Sequence, residues 1–249
     1  MDLVKQDFWD SSYKYYENKA ELSCNDPLIE WIEKTSSVCE GGQCFEIGTY
    51  PGGYSNEFGK RGHEISGIDL TPRVTELNTI FSERGYKIGD FFQGDFFKYN
   101  PINQYDIVFS VGFIEHFNDF ELVIKEHAKH VKEDGVLFLA VPNFSGKFQH
   151  FMHRLLDKEN LKIHNLDSMY PEKWNEILTN NGFQIIKQGY IGGFDFWMGE
   201  QKRNYFQIAI RRFFVDFLTP ILKKRLPNPS PSYSPFCGII AKKNKTQPK

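Results

Sequence analysis

Between Cys44 and Val141 the sequence alternates short apolar runs with segments whose apolar residues recur at helical spacing. That alternation leaves few folds open, because runs so apolar must be covered on both faces and each helix has one face to bury. Strands are predicted at residues 44–47, 64–69, 86–93, 105–110 and 136–141. Helices are predicted at 54–62, 72–84 and 119–130, with Asp119 as the N-cap of the last and Gly135 at the turn that follows it. Together these predict a doubly wound α/β sheet. Residues 27–34, with Leu28, Ile29, Trp31 and Ile32, read as an amphipathic helix before it. Residues 171–181 predict a helix closed by Gly182, and strands follow at 183–190 and 236–242.

The last two strands are joined by far more chain than a compact sheet needs. Within that connection Phe206, Ile210, Phe213, Phe214, Phe217, Leu218, Ile221 and Leu222 fall on a helical stripe, flanked by Arg203, Arg211, Arg212, Lys223, Lys224 and Arg225. Prolines 227, 229 and 231 stop the helix. Here composition matters. The formal net charge of −2 hides a +10 over residues 201–249, where Asp216 is the one acid among eleven Lys and Arg, leaving −12 on the remainder. The overall balance excludes a histone-like nucleic-acid binder. Cys24, Cys39, Cys44 and Cys237 form no CxxC pair and suit a reducing compartment.

The chemistry concentrates where strands turn into helices. The first strand ends in Glu46, Gly48, Thr49, Tyr50, Pro51, Gly52 and Gly53, a turn that lets a ligand approach the backbone. This is not a GxGxxG pyrophosphate cradle. Asp69 ends the second strand, 21 residues beyond Gly48, where a carboxylate typically accepts both ribose hydroxyls. Asp95 ends the third and is placed to accept from an adenine amino group, with Phe96 against the ring. Glu46, Asp69 and Asp95 at the ends of successive strands, without an intervening cationic clamp, disfavour a phosphate-rich ligand and favour a cationic nucleoside.

These motifs, in this order, resemble the class I S-adenosylmethionine-dependent methyltransferases. The resemblance covers about residues 40–145, through the 46–52 turn, Asp69, Asp95, the fourth-strand segment 106–116 and the fifth-strand segment 135–142. It is closest to the broad type 11/12 group, which includes ubiquinone-pathway and polysaccharide-modifying O-methyltransferases. Tyr50 departs from the pattern, standing where many members have a second glycine. The resemblance implies a Rossmann-like seven-stranded sheet with an antiparallel last strand and a helical insertion before it. It implies S-adenosylmethionine as cofactor, held by Glu46, Gly48, Thr49, Gly52, Asp69, Leu70, Asp95, Phe96 and Ser110. The expected divisions are an N-terminal helical cap (1–40), a cofactor-binding core (41–200), the basic insertion (201–235), and the last strand and tail (236–249).

The expected activity is methyl transfer to a hydroxyl of a small molecule or glycan. The alternative is an inactive cofactor-binding subunit that holds a partner or membrane through its basic helix. His116 and His164 are the candidates for the base that takes the acceptor's proton. His150 and His153 fall in the same acceptor-side region, whereas His63, His127 and His130 are expected at the surface. No His, Cys and Asp spacing matches a metal site, and none is expected. Trp9, Tyr13, Tyr15 and Tyr16 are either a lid over the cofactor or ordinary packing. The basic stripe at 203–225 is either a lid packed on the protein or an interfacial helix on anionic lipid; its aromatics lie along one helix face, which disfavours a nucleic-acid arm. Residues 1–10 are polar and no apolar run approaches the ~20 residues of a membrane span. A cytoplasmic location is expected, with attachment to the inner membrane face left open.

Overall fold

The computed structural model describes residues 4, 9, 20–100, 104–199 and 203–245. Tyr13, Tyr15 and Tyr16 lie outside them. The chain runs α1 (Ile29–Val38), β1 (Gln43–Ile47), α2 (Gly53–Lys60), β2 (Glu64–Asp69), α3 (Glu76–Glu83), β3 (Ile88–Gln93), β4 (Tyr105–Val111), α4 (Phe120–Lys129), β5 (Val131–Pro142), α5 (Lys147–Leu156), α6 (Lys158–Lys162), α7 (Pro171–Asn180) and β6 (Phe183–Ile191). The insertion contributes α8 (Tyr205–Arg211), a π-helical stretch (Arg212–Leu218) and α9 (Thr219–Arg225), before β7 (Phe236–Lys243).

The strands form one seven-stranded sheet in the order β3-β2-β1-β4-β5-β7-β6. All ladders from β3 to β5 are parallel, and β7 runs antiparallel to both β5 and β6. The apolar runs are continuous because alternate residues enter opposite cores. Phe45, Ile47, Val108, Leu137 and Leu139 pack with Val123, Ile124 and Trp174 on one face. Cys44, Ile107, Phe109, Phe138 and Ala140 pack with Trp31, Ile32, Phe58 and Phe81 on the other.

Local chemistry sets most of the element ends. Asp119 caps α4, its Oδ1 accepting from the Leu122 N–H at 3.0 Å. Pro171 opens α7, where its missing N–H costs nothing, and Gly182 follows its end at φ 81°. Two sequence-based boundaries move. The helix predicted at 72–84 is a 3-10 turn, Pro72–Thr75, followed by α3. The fifth strand begins at Val131, not at 136, so Gly135 lies within it and does not end α4. Tyr105 pairs with Val131 and Ile107 with Val136, so extra residues loop out between them, with Asp134 in the left-handed region at φ 61°.

The insertion is helical as predicted, but its stripe does not face one way. Ile210, Phe214 and Val215 pack against Met152, Leu156 and Phe196. Phe206, Phe213 and Phe217 are exposed, at 69%, 55% and 61%. The π-helical stretch fits extra residues into each turn, so a stripe drawn at 3.6 residues per turn splits across two faces. Of the flanking cations, Lys223 pairs with Asp195 at 2.8 Å and Arg203 donates to the Leu156 and Gly199 carbonyls. No helix among the described residues is long and apolar enough to cross a membrane.

Candidate active site

Parallel strands place the ends of β1, β2, β3, β4 and β5 along one edge, and the turn after β1 is the most constrained part of it. Gly48 has φ 71°, and a Cβ there would lie 2.7 Å from the Phe113 ring. Gly52 has φ 89°, and a Cβ would strike Leu77 at 2.7 Å. Both positions therefore demand glycine on conformation and on space. The Gly48 N–H donates to the Ile68 carbonyl and the Gly52 N–H to that of Thr49, closing the turn against β2.

Glu46 holds this turn from below. Its Oε2 accepts from the Thr49 hydroxyl (2.9 Å), the Ser55 hydroxyl (2.5 Å) and the Ser55 N–H (3.2 Å). The side chain is buried, and burial raises its carboxyl to about 8 despite those donors. Glu46 and buried Thr49 thus turn their side chains into the loop; the sequence reading, which put Glu46 among the cofactor contacts, missed this inward role. Asp69 faces the turn from the end of β2, accepting from Tyr50 N–H and Thr71 N–H, both at 3.0 Å. Beyond it Leu70 is 46% exposed. Asp95 caps the next 3-10 turn through the Phe97 N–H and pairs with Lys98 at 3.1 Å.

Two of the expected contacts turn their side chains inward. The Phe96 ring is buried among Phe113, His127 and His130, not open to a ligand; its neighbour Phe97 is the exposed one, at 41%. Ser110 is fully buried, and its hydroxyl serves His127. Because His127 Nδ1 donates to the Val123 carbonyl, its Nε2 accepts from Ser110 Oγ at 3.0 Å.

The three histidines expected at the surface are buried. His127 fills the space beneath β4. His63 meets Ser36 Oγ at 2.6 Å and the Gly42 carbonyl, and His130 lies against Phe45, Phe96 and Tyr99. Each finds aromatic or hydrogen-bonding partners on another element, information that local sequence does not carry. Burial depresses all three, His127 to about 3.

His116 and His164, the candidate bases, do come together. His116 ends a 3-10 turn, Ile114–His116, just beyond β4, and its N–H donates to the carbonyl of Phe113, the residue lying on Gly48. A strap at 163–165 is tied to this turn: His116 Nδ1 donates to the Ile163 carbonyl, Asn165 N–H donates to the Glu115 carbonyl, and Asn165 Nδ2 donates to the Phe117 carbonyl. The imidazoles then lie with centroids 4.7 Å apart. His164 Nδ1 donates to the Asn160 carbonyl at 2.6 Å. Both Nδ1 atoms being protonated donors, both Nε2 atoms carry lone pairs. Burial holds His116 down at about 3, with His164 adding to the effect, and burial holds His164 at about 4, so both rings are neutral near pH 7. Beneath them Glu115 is fully buried. Trp9 stands edge-on to His116 at 4.8 Å, on the acceptor-side candidate.

Phe144 links this pair to a neighbouring opening. Its ring lies 4.8 Å from His164 and 3.9 Å from His153, and the next residue, Ser145, borders an open cleft of about 620 Å³. Lys147, His150, Phe151, Arg154 and Leu155 of α5 line the rest. His153 itself is buried and bonded to Asp157 at 3.0 Å.

Residues 25–188 match the family model for a methyltransferase domain. The chain belongs to the class I S-adenosylmethionine-dependent methyltransferases. S-adenosylmethionine is the cofactor that goes with this family and fold. The ubiquinone biosynthesis O-methyltransferase of Bordetella avium is 24% identical over 149 residues, covering 56% of this chain and 58% of that protein. The enzyme of the same name from Leptothrix cholodnii is 24% identical over 147 residues, 56% of this chain and 63% of its own. The chain thus spans about three fifths of the length of these curated relatives. Among solved structures, the N-methyltransferase NodS from Bradyrhizobium japonicum, in complex with S-adenosylhomocysteine, superposes with a TM-score of 0.54 at 11% identity, over 98% of this chain and 95% of its own. The YcgJ protein from Bacillus subtilis gives 0.56 at 18%, over 88% and 99%.

Proposed function

We propose that this chain transfers the methyl group of S-adenosylmethionine to a hydroxyl of a small molecule or glycan. The observation that carries this reading is the pair of neutral, lone-pair-bearing imidazoles, His116 and His164, one short turn from the residue that touches Gly48. In the transfer, an acceptor oxygen lone pair forms the new C–O bond as the methyl–sulfur bond breaks and its electrons return to sulfur. The hydroxyl proton must leave, and the Nε2 of one of these imidazoles is the candidate to receive it. A hydroxyl needs such help more than a neutral amine, whose lone pair is free without prior deprotonation. The ubiquinone biosynthesis O-methyltransferases that the chain resembles support this reading.

For the cofactor, the turn at Gly48, Thr49 and Gly52 offers its backbone to the methionine portion and Asp69 its carboxylate to the ribose hydroxyls. Leu70, Asp95 and the exposed Phe97 border the adenine, while Glu46 and Ser110 act from beneath by holding the loop and strand. Calorimetry with S-adenosylhomocysteine is expected to show one site per chain. Asp69→Ala should weaken it about a hundredfold, the equivalent of about 3 kcal/mol for two charge-assisted hydrogen bonds. Labelled methyl should then appear on a hydroxyl acceptor in a cell extract. Binding without any transfer would favour the inactive-subunit reading, and no binding would end both.

The exposed Phe206, Phe213 and Phe217, with Arg212, Lys224 and Arg225 beside them, support a reversible contact of 203–225 with an anionic membrane surface. Co-sedimentation with vesicles rich in anionic lipid at low salt is the expected outcome, weakening as salt rises. Failure to sediment would leave the segment as a lid alone.

A further inference from the structure

Glu115 is the most anomalous side chain in the described part of the molecule. It is fully buried, yet neither carboxyl oxygen has a hydrogen-bond partner among the described residues. Native structures seldom leave a buried carboxyl so, because the desolvation cost is not recovered. Its Oε1 lies 3.8 Å from His116 Nε2, beyond hydrogen-bond reach. One donor atom each from Glu115, His116 and His164 falls within 4.8 Å of the others.

The tautomers sharpen this. Both Nδ1–H groups are spent on backbone carbonyls, of Ile163 and of Asn160, so each ring turns an Nε2 lone pair on the other side. A carbonyl accepting from the far ring nitrogen is the usual outer support of a metal-binding histidine, fixing both tautomer and ring angle. Two imidazole lone pairs and a carboxyl with no hydrogen-bond partner among the described residues converge on one space; burial raises that carboxyl to about 8, and a bound cation would displace its proton. A cation satisfies all three at once.

The geometry points to a divalent transition-metal site formed by Glu115, His116 and His164. Two nitrogens and one carboxylate suit Zn²⁺, Co²⁺ or Fe²⁺ better than Mg²⁺, which prefers an all-oxygen shell. Binding at ~2.0–2.2 Å requires the three donor atoms to draw inward. Three protein ligands leave coordination positions open. The inference rests on the methyltransferase reading only for its use: an acceptor hydroxyl in an open position would lose its proton more readily beside the cation than in water. The sequence signal was incomplete because Glu115 and His116 are adjacent whereas His164 is 48 positions further on.

The test uses the full chain, dialysed against EDTA and titrated with Co²⁺ while visible absorption is followed. One ion per chain is expected, with the intense bands of a low-coordinate nitrogen-ligated site, undisplaced by excess Mg²⁺. Glu115→Gln and His164→Gln should each weaken binding by ~10-fold or more, with S-adenosylhomocysteine affinity retained as the check on folding. X-ray absorption of the Zn²⁺-loaded wild type, which does not depend on any variant folding, should show two imidazoles in the first shell. An oxygen-only shell, or Co²⁺ binding indifferent to His164→Gln, overturns the site. A chain that binds S-adenosylhomocysteine but no Co²⁺ refutes this inference and leaves the methyltransferase reading intact; one that takes Co²⁺ but not S-adenosylhomocysteine does the reverse.

Discussion

His116→Gln is expected to slow methyl transfer by ~10²–10⁴-fold while changing affinity for S-adenosylhomocysteine by no more than about twofold. The substitution removes the Nδ1 bond to the Ile163 carbonyl, but the strap at 163–165 keeps its ties from Asn165 to the Glu115 and Phe117 carbonyls. The substitution also removes the lone pair of Nε2, which lies 3.8 Å from Glu115 Oε1. The loss should fall on kcat, because the turn at Gly48 and the Asp69 carboxylate are untouched. The loss is the same in kind whether the lone pair takes a proton or holds a cation, since both act on the acceptor oxygen. Steady-state rates with the hydroxyl acceptor, alongside calorimetry with S-adenosylhomocysteine, separate the outcomes. Unchanged turnover would remove His116 from the chemistry, and a joint fall in binding and turnover would make it a structural residue.

Between about pH 4.5 and 8 the protein should lose stability through Glu46 as pH rises. Its folded carboxyl titrates at about 8, against 4.5 for the ordinary group, because burial outweighs the donors from Thr49 and Ser55. Across that window the unfolded chain has released this proton and the folded chain still holds it. The contribution is therefore fully present below pH 4.5, declines as pH rises, and levels off above about 8. Glu46→Gln keeps an oxygen that accepts from the same three donors and has no proton to lose. Urea denaturation of both proteins at pH 5, 6.5 and 8 should show the variant gaining on the wild type at each step. Parallel curves would mean that Glu46 is ionised in the fold. The acid side carries the opposite sign: buried His127, held at about 3, makes the folded state lose stability as pH falls below about 6.5, since only the unfolded chain takes up that proton.

The sequence was most legible where local chemistry and periodicity agree. The seven strands, the caps at Asp119 and Pro171, the glycine turn after β1 and the carboxylates ending β1 and β2 could all be read from it, because strand period, capping and positive φ depend on a few neighbouring residues. It was least legible where a side chain chooses between two sides of one position. Phe96 and Phe97 are adjacent and alike, and only packing against His127 and His130 decides which ring is buried. Glu46 and Ser110 stand at the expected strand positions, but partners from other elements draw their side chains inward. The insertion was recognisable as a helix, while the phase of its stripe depended on a π-helical stretch that a 3.6-residue wheel does not anticipate.

What the sequence by itself determined is the alternating frame and its glycine turn, since both follow from hydrophobic period and backbone sterics within a few residues. The tertiary structure alone decided the grouping of Glu115, His116 and His164. That grouping exists because Asn165 and Ile163 tie a distant strap to the end of β4, burying a carboxyl that has no hydrogen-bond partner among the described residues.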